Sequence, residues 1–256
     1  DGWEAQPALS SNGTELFFSA VKSNSTPDAD NNPTMDLMFS VRNAAGEWDE
    51  AQPIASLNTS SNEKSPFLHP DGRTLYFSSD RSPGGGGYDI WYSRRDEQGE
   101  WGAPINIGAP INTTGDEHGL VVAADGKQAY LGSRRQGTKG LDILSLPLPP
   151  PHRASEITII RGSILNEAGA PDTTVQVAIQ RMSTMEMEYL EVNQDDGTFA
   201  RALEIGAMEE VVLLTEGPNT AFDAIVLPKK DSTTPVTSAA AANLELKARE
   251  IALDEP

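Results

Sequence analysis

One stretch of this chain is written three times, and that repetition limits the fold more than any other feature. Its fullest copy is Ser65 to Arg95, SPFLHPDGRTLYFSSDRSPGGGGYDIWYSRR. Pro66-Phe67-Leu68 reads as a strand and Pro70-Asp71-Gly72 as a turn. Thr74-Leu75-Tyr76-Phe77-Ser78 is a second strand, rich in aromatic and β-branched residues. Gly84 to Gly87 then break the regularity, and Asp89-Ile90-Trp91-Tyr92-Ser93 opens a third strand. An earlier copy runs through Gln6-Pro7-Ala8-Leu9, Ser11-Asn12-Gly13, Glu15 to Ser19 and Asp36 to Ser40. A later copy runs through Gly119 to Val122, Ala124-Asp125-Gly126, Gln128 to Leu131 and Asp142 to Ser145. A glutamate stands just ahead of the first strand of each copy, at Glu4, Glu63 and Glu117. The first two copies carry a fourth element, Gly46-Glu47-Trp48 with Gln52-Pro53-Ile54 and Gly99-Glu100-Trp101 with Ala103-Pro104-Ile105. Each leads into a matched turn, Leu57-Asn58-Thr59 or Ile111-Asn112-Thr113.

Four short strands in a period of about fifty residues predict the blades of a β-propeller. Such a blade cannot bury both of its faces alone and needs neighbours stacked on it. A sandwich with chance similarity is the competing reading, and the repeated turn chemistry weighs against it. Asp1-Gly2-Trp3 echoes Gly46-Glu47-Trp48, which places Trp3 at the end of a preceding blade and predicts further blades upstream. The expected fold is therefore all-β. Residues 1–146 form a partial propeller with three visible blades, and a C-terminal β-sandwich follows.

LPLPPPHR at 146–153 is proline-rich and favours an extended connector, so residues 147–154 read as a linker between domains. The second domain is expected over 155–228. Its strands are Glu156 to Ile164, Val175 to Ile179, Met187 to Val192, Thr198 to Leu203, Val211 to Leu214 and Phe222 to Leu227. Residues 229–242 read as a loop. Ala240 to Leu253 suits either a helix or a last strand, and residues 243–253 in the second case complete the sandwich.

The charge balance narrows the partners. Formal net charge is -19, with 20 acids against 11 bases in residues 1–150 and 18 against 8 in the remainder. Nucleic acid needs a basic footprint, and anionic membrane surfaces do as well, so both are disfavoured. There is no cysteine, which removes disulfide and thiolate chemistry. No apolar run has the length of a membrane span.

Catalytic signatures are missing too. There is no nucleophile elbow, no phosphate-binding loop and no His-Glu-x-x-His, and His69, His118 and His152 lack metal-ligand spacing. No catalytic residue, metal or cofactor is expected. The loop at 22–33 carries Asp28, Asp30, Asn31 and Asn32. It reads as solvated, with calcium the lesser alternative. Four glycosylation-type sequons occur, at Asn12, Asn24, Asn58 and Asn112; Asn58 and Asn112 sit at the same place in the repeat, and a turn role there explains them without glycosylation. The residues picked out for partner binding are Asp80, Arg81, Tyr88, Arg134 and Arg135. They follow the second strand of their copies, where loops carry recognition. Pairing of Arg81 and Arg134 with Asp80, Asp89 or Asp142, which would tie the blades together, is the structural reading and stands ahead; in contact with a partner, the arginine forks would suit carboxylates.

The run Pro70-Asp71-Gly72-Arg73-Thr74-Leu75-Tyr76-Phe77 resembles the TolB-type propeller repeat. SSDRSPGGGGYDIWYSRR, GEWGAPINIGAPINT and GDEHGLVVAADGKQAY resemble the version found in outer-membrane-associated periplasmic proteins of Bacteroidetes, including PorE-like lipoproteins. The order Gly-x-Ile, Val-x-Val, Asp-Gly-Thr-Phe and Leu-x-x-Gly in the second half resembles the carboxypeptidase-regulatory-like domain. That family's usual Tyr is replaced by Ala207-Met208. The resemblance implies a periplasmic, outer-membrane-associated scaffold of the OmpA family, without enzymatic activity. Its implied partners are proteins of a membrane or type IX secretion complex. Peptidoglycan would be reached only through an OmpA-like domain, which this chain does not contain. A glycan-binding or glycan-processing propeller is the alternative.

Overall fold

The computed structural model describes residues 2–21, 27–135, 137–166, 168–204, 210–216, 223–226 and 242–247. The protein is all-β, and its two compact units are Asp1–Glu156 and Ile157–Pro256.

The first unit contains three small antiparallel sheets, one for each copy of the repeat. Sheet one is β1 (Trp3–Leu9), β2 (Glu15–Val21), β3 (Asp36–Val41) and β4 (Gln52–Pro53), paired in that order. Sheet two repeats the order with β5 (Glu63–Leu68), β6 (Thr74–Ser79), β7 (Asp89–Arg94) and β8 (Ile105–Asn106). Sheet three has β9 (Glu117–Val122), β10 (Gln128–Ser133) and β11 (Asp142–Pro147). Trp3 lies within β1 and pairs with Val21. This corrects its expected place at the end of a preceding strand. If Glu4 matches Glu63, Trp3 matches Asn62 rather than Trp48.

The first strand of every sheet carries a bulge at the same repeat position. The bulge residue is Gln6, Ser65 or Gly119, with φ of 57°, 53° and 60°. Only the third copy uses glycine for this left-handed backbone. In the first two, side chains hold the strain. Gln6 Oε1 accepts from Ser65 N at 2.9 Å and from Ser19 Oγ at 3.2 Å, so one sheet caps the bulge of the next.

Alternation along each strand sends one set of apolar residues to each face. Phe17 and Leu37 of sheet one meet Leu68, Leu75, Phe77 and Trp91 of sheet two, closed by Ile54 and Leu57. Tyr76, Ile90 and Tyr92 on the other face of sheet two meet Leu120, Val122, Ala129 and Leu131 of sheet three. Trp101 stands edge-on to Phe17 with centroids 6.1 Å apart.

After β11 the chain makes no fourth strand and instead enters a 3-10 turn at Pro150–His152. Leu148 is fully buried, Tyr76 Oη donates to the His152 carbonyl at 2.8 Å, and Tyr92 Oη to that of Pro151 at 3.2 Å. The proline-rich stretch thus packs onto sheets two and three, and the compact unit continues through it to Glu156. The His152 ring sits edge-on to Tyr92.

Among the described residues, the second unit holds two sheets. One has the order β15 (Thr198–Leu203), β12 (Thr158–Leu165), β18 (Ala242–Lys247). The other is β14 (Met187–Leu190), β13 (Gln176–Arg181), β16 (Val211–Glu216), β17 (Asp223–Val226). Their shared core joins Ile160, Ile164, Phe199 and Leu203 to Val177, Ile179, Val211 and Leu213. Residues 242–247, left open between helix and strand by the sequence, form a strand parallel to β12. The expected loop at 229–241, residues 248–253 and the departure at Ala207-Met208 lie outside the described residues.

Candidate interaction edge

Side chains shared by the copies and side chains that differ between them do different work. The shared ones join sheets. Asn58 mimics a strand, since its Oδ1 accepts from Leu37 N and its Nδ2 donates to Leu37 O. Asn112 does the same with Ile90. The next residue in each turn, Thr59 or Thr113, donates through N and Oγ1 to a fully buried glutamate of the following sheet, Glu63 or Glu117. Each Asn-Thr pair therefore fastens one sheet to the next.

These glutamates also engage two of the residues singled out for partner binding. Glu63 accepts from Ser79 Oγ at 2.9 Å and pairs with Arg81 at 3.0 Å. Glu117 accepts from Ser133 Oγ at 2.8 Å and lies 3.5 Å from Arg135. Arg81 also donates to the Leu57 carbonyl and lies over the Phe77 and Trp91 rings. Arg135 donates to the Pro110 and Ile111 carbonyls. Both guanidiniums are thus occupied inside the unit, and the ion-pair partner of Arg81 is Glu63 rather than Asp80, Asp89 or Asp142. Burial pushes the Glu63 carboxyl up, against the pull of Arg81.

The copies differ just beside these hubs. Asn62 in one copy is Asp116 in the next, Lys64 is His118, Asp80 is Arg134, and Tyr88 is Leu141. Four of these side chains gather around Tyr88. Lys64 Nζ sits 3.4 Å above the Tyr88 ring centroid, and the His118 ring is 5.3 Å away. Asp116 Oδ1 accepts from Tyr88 N at 2.9 Å. Asp80 lies near the Tyr88 hydroxyl and takes both Asn62 N and Nδ2. Burial, with Asp80 and Asp116 nearby, pushes the Tyr88 hydroxyl up to about 12, so it stays a neutral donor. Burial lowers Lys64, against the pull of Asp116 and Asp80. Arg134 is exposed near His118, and among the described residues its guanidinium takes no hydrogen bond or ion pair. Lys64 and Asp116 were missed in the sequence. The available signal was their place in the repeat, next to a shared glutamate yet different in each copy.

His118 gives this edge a pH response. Burial lowers its pKa, with Lys64 and Arg134 adding to the effect and Asp116 and Glu117 opposing it. Its Nδ1 is buried without a hydrogen-bond partner among the described residues. A histidine depressed in the folded state contributes stability above its unfolded pKa, and that contribution fades as pH falls through the folded value. Proton NMR should show His118 titrating below the ordinary histidine value of about 6.5. The stability difference between wild type and His118→Gln should shrink as pH falls below that point. Titration at or above the ordinary value would refute the sign.

The glycine-rich loop serves close approach. A Cβ on Gly86 would lie 2.2 Å from the Gly115 carbonyl oxygen, and one on Gly87 would lie 2.1 Å from Asp116 Oδ1. Gly85 N donates to Asp89 Oδ2 at 2.5 Å. A cleft of about 400 Å³ lies alongside, lined by Gly84, Gly85, Asn106, Asn112, Thr113 and Thr114 among others. In the loop after β2, Asp28 Oδ1 accepts from the Asp30 and Asn32 backbone amides, so the best calcium candidate is committed to its own turn. No cluster of three or more His, Asp or Glu suited to a metal occurs among the described residues.

No protein-family model matches the chain, and no curated protein matches it. Among solved structures, a puromycin hydrolase complexed with PGG is similar at 13% identity and a TM-score of 0.38, covering 88% of this chain and 27% of that one. A puromycin-hydrolyzing peptidase of Mycobacterium tuberculosis gives 16% identity and 0.36, over 91% of this chain and 37% of that one. The Bacillus anthracis TIE protein gives 9% and 0.26, over 98% and 40%. The chain spans well under half the length of each. At these scores the likenesses carry no argument about fold or activity.

Proposed function

We propose that the first unit is three blades of a β-propeller and the second a carboxypeptidase-regulatory-like β-sandwich. Together they act as a non-enzymatic scaffold on the periplasmic side of an outer membrane, linking a membrane or type IX secretion complex to the cell envelope. The observation that carries the interaction role is the division of labour in the repeat. Shared side chains are spent on joining sheets, while those that differ collect on one edge beside the free Arg134 fork. That fork suits a carboxylate of a protein partner.

Cross-linking of the native protein in cells tests the proposal. An outer-membrane or secretion component should be recovered, and Arg134→Glu should lower its yield about tenfold, the scale of one good interface contact. Recovery of no envelope component would overturn it.

The cleft beside the glycine loop supports a second reading, a glycan-binding or glycan-processing propeller. Its lining includes Asn106, Asn112, Thr113 and Thr114, but its surface is mostly apolar, and Asn106 and Asn112 already use their amides on Gly108, Asp89 and Ile90. A glycan array without hits, together with no polysaccharide hydrolysis, would remove this reading.

A further inference from the structure

We infer that Asp89 and the glycine loop beside it hold a calcium ion. The inference stands on local geometry in the second copy and is independent of the scaffold reading.

Asp89 opens β7 and is fully buried. One of its carboxylate oxygens is satisfied, since Oδ2 accepts from Gly85 N at 2.5 Å and from Asn106 Nδ2 at 3.0 Å. The other, Oδ1, is buried and takes no hydrogen bond among the described residues. Among those residues Asp89 has no ion pair either. Glu63 and Glu117 are buried as deeply, and each of them has an arginine. Buried charges are paired or coordinate metals, and an orphaned oxygen inside a folded unit calls for a water or an ion.

Gly85 marks the place. A Cβ on it would stand 3.1 Å from the Thr113 carbonyl oxygen, 3.7 Å from Asp89 Oδ1 and 3.8 Å from Asp89 Oδ2. Three oxygens thus border the space that the missing side chain leaves. Calcium–oxygen bonds of roughly 2.3–2.6 Å put the ion beyond the Cβ point, on the oxygen side. Gly85 has no left-handed backbone, so space rather than conformation is what glycine supplies there. The third copy is the contrast. Thr138 stands in place of Gly85, and Asp142, the counterpart of Asp89, is exposed. The glycine and the burial of the aspartate are lost together.

The donors choose the ion. A carboxylate and a main-chain carbonyl are hard oxygen ligands, with none of the nitrogen or sulfur that zinc prefers. Calcium tolerates irregular oxygen shells, whereas magnesium demands a tight octahedron. The cleft of about 400 Å³ is lined by Gly85 and Thr113, the residues that border this space, and it offers an entry path and room for the waters that fill the shell. A formal charge of -19 draws cations to the chain. With one carboxylate in the set, the site belongs at the weak end of calcium affinities, with a dissociation constant on the order of 10⁻⁴–10⁻³ M.

Calorimetric titration of calcium into the chelator-treated 256-residue chain tests the inference. A site of that affinity is expected, and equimolar magnesium should not displace the ion. Asp89→Asn keeps an acceptor for Gly85 N and removes the charge, and it should weaken binding at least about tenfold, the scale of one charge-assisted contact. Gly85→Ala fills the space and should weaken binding as much while keeping the fold, as judged by circular dichroism, so the test survives if Asp89→Asn does not fold. Glu97→Gln removes an exposed charge in the turn after β7 and should leave the affinity unchanged. Absence of calcium binding would overturn the inference. So would an affinity indifferent to Gly85→Ala, which would assign the calcium to surface acids, or equal competition by magnesium.

Discussion

Glu63→Ala should destabilise the first unit by about 3–5 kcal/mol, the usual cost of breaking a buried ion pair by removing one partner. The carboxylate is fully buried and collects Thr59 N, Thr59 Oγ1, Ser79 Oγ and Arg81. Alanine leaves all four donors facing a cavity. Burial already lowers the Arg81 pKa, so the guanidinium depends on Glu63 for compensation. The effect can be read in one unit alone, because Trp3, Trp48, Trp91 and Trp101 all lie in the first. Urea unfolding followed by tryptophan fluorescence should show a lowered midpoint. A midpoint unchanged from wild type would mean that the Asn-Thr turns do not fasten the sheets.

The second large effect is a contrast between two isoleucines at one repeat position. Ile90→Ala should cost about 2–5 kcal/mol, because Ile90 is fully buried between sheets two and three. Ile143→Ala should stay within about 0.5 kcal/mol, as for other exposed substitutions. The same fluorescence assay separates them. Equal costs would mean that something covers this face of sheet three.

Much of this architecture was legible because the chain repeats its instructions. β5 to β7 follow from period-two alternation bounded by Asp71-Gly72 and the glycine loop, and the other copies follow by analogy. The bulges were not legible at Gln6 and Ser65, since neither residue advertises a left-handed backbone. The support of Ser65 comes from the Gln6 side chain in the neighbouring sheet. The pairing of β18 with β12 was hidden for a similar reason, as it joins segments far apart in sequence. Arg81 and Arg135 were found as positions, but their role turned on Glu63 and Glu117, which close over them only after the strands pair. The cluster around Tyr88 was invisible because Lys64, Asp116 and His118 reach it from the starts of two first strands, β5 and β9, and from the turn just before β9.

The outer strands differ in how they meet solvent. β4 and β8 are two residues long, and Pro53 removes a donor from β4, so their free edges give little template for another strand. β11 is the outer strand of its sheet and runs for six residues with only Pro147 at its end to interrupt it. If the protein misassembles under stress, amyloid-like growth by edge-to-edge pairing should begin at Asp142 to Leu146, and a proline or lysine placed there would act as a gatekeeper.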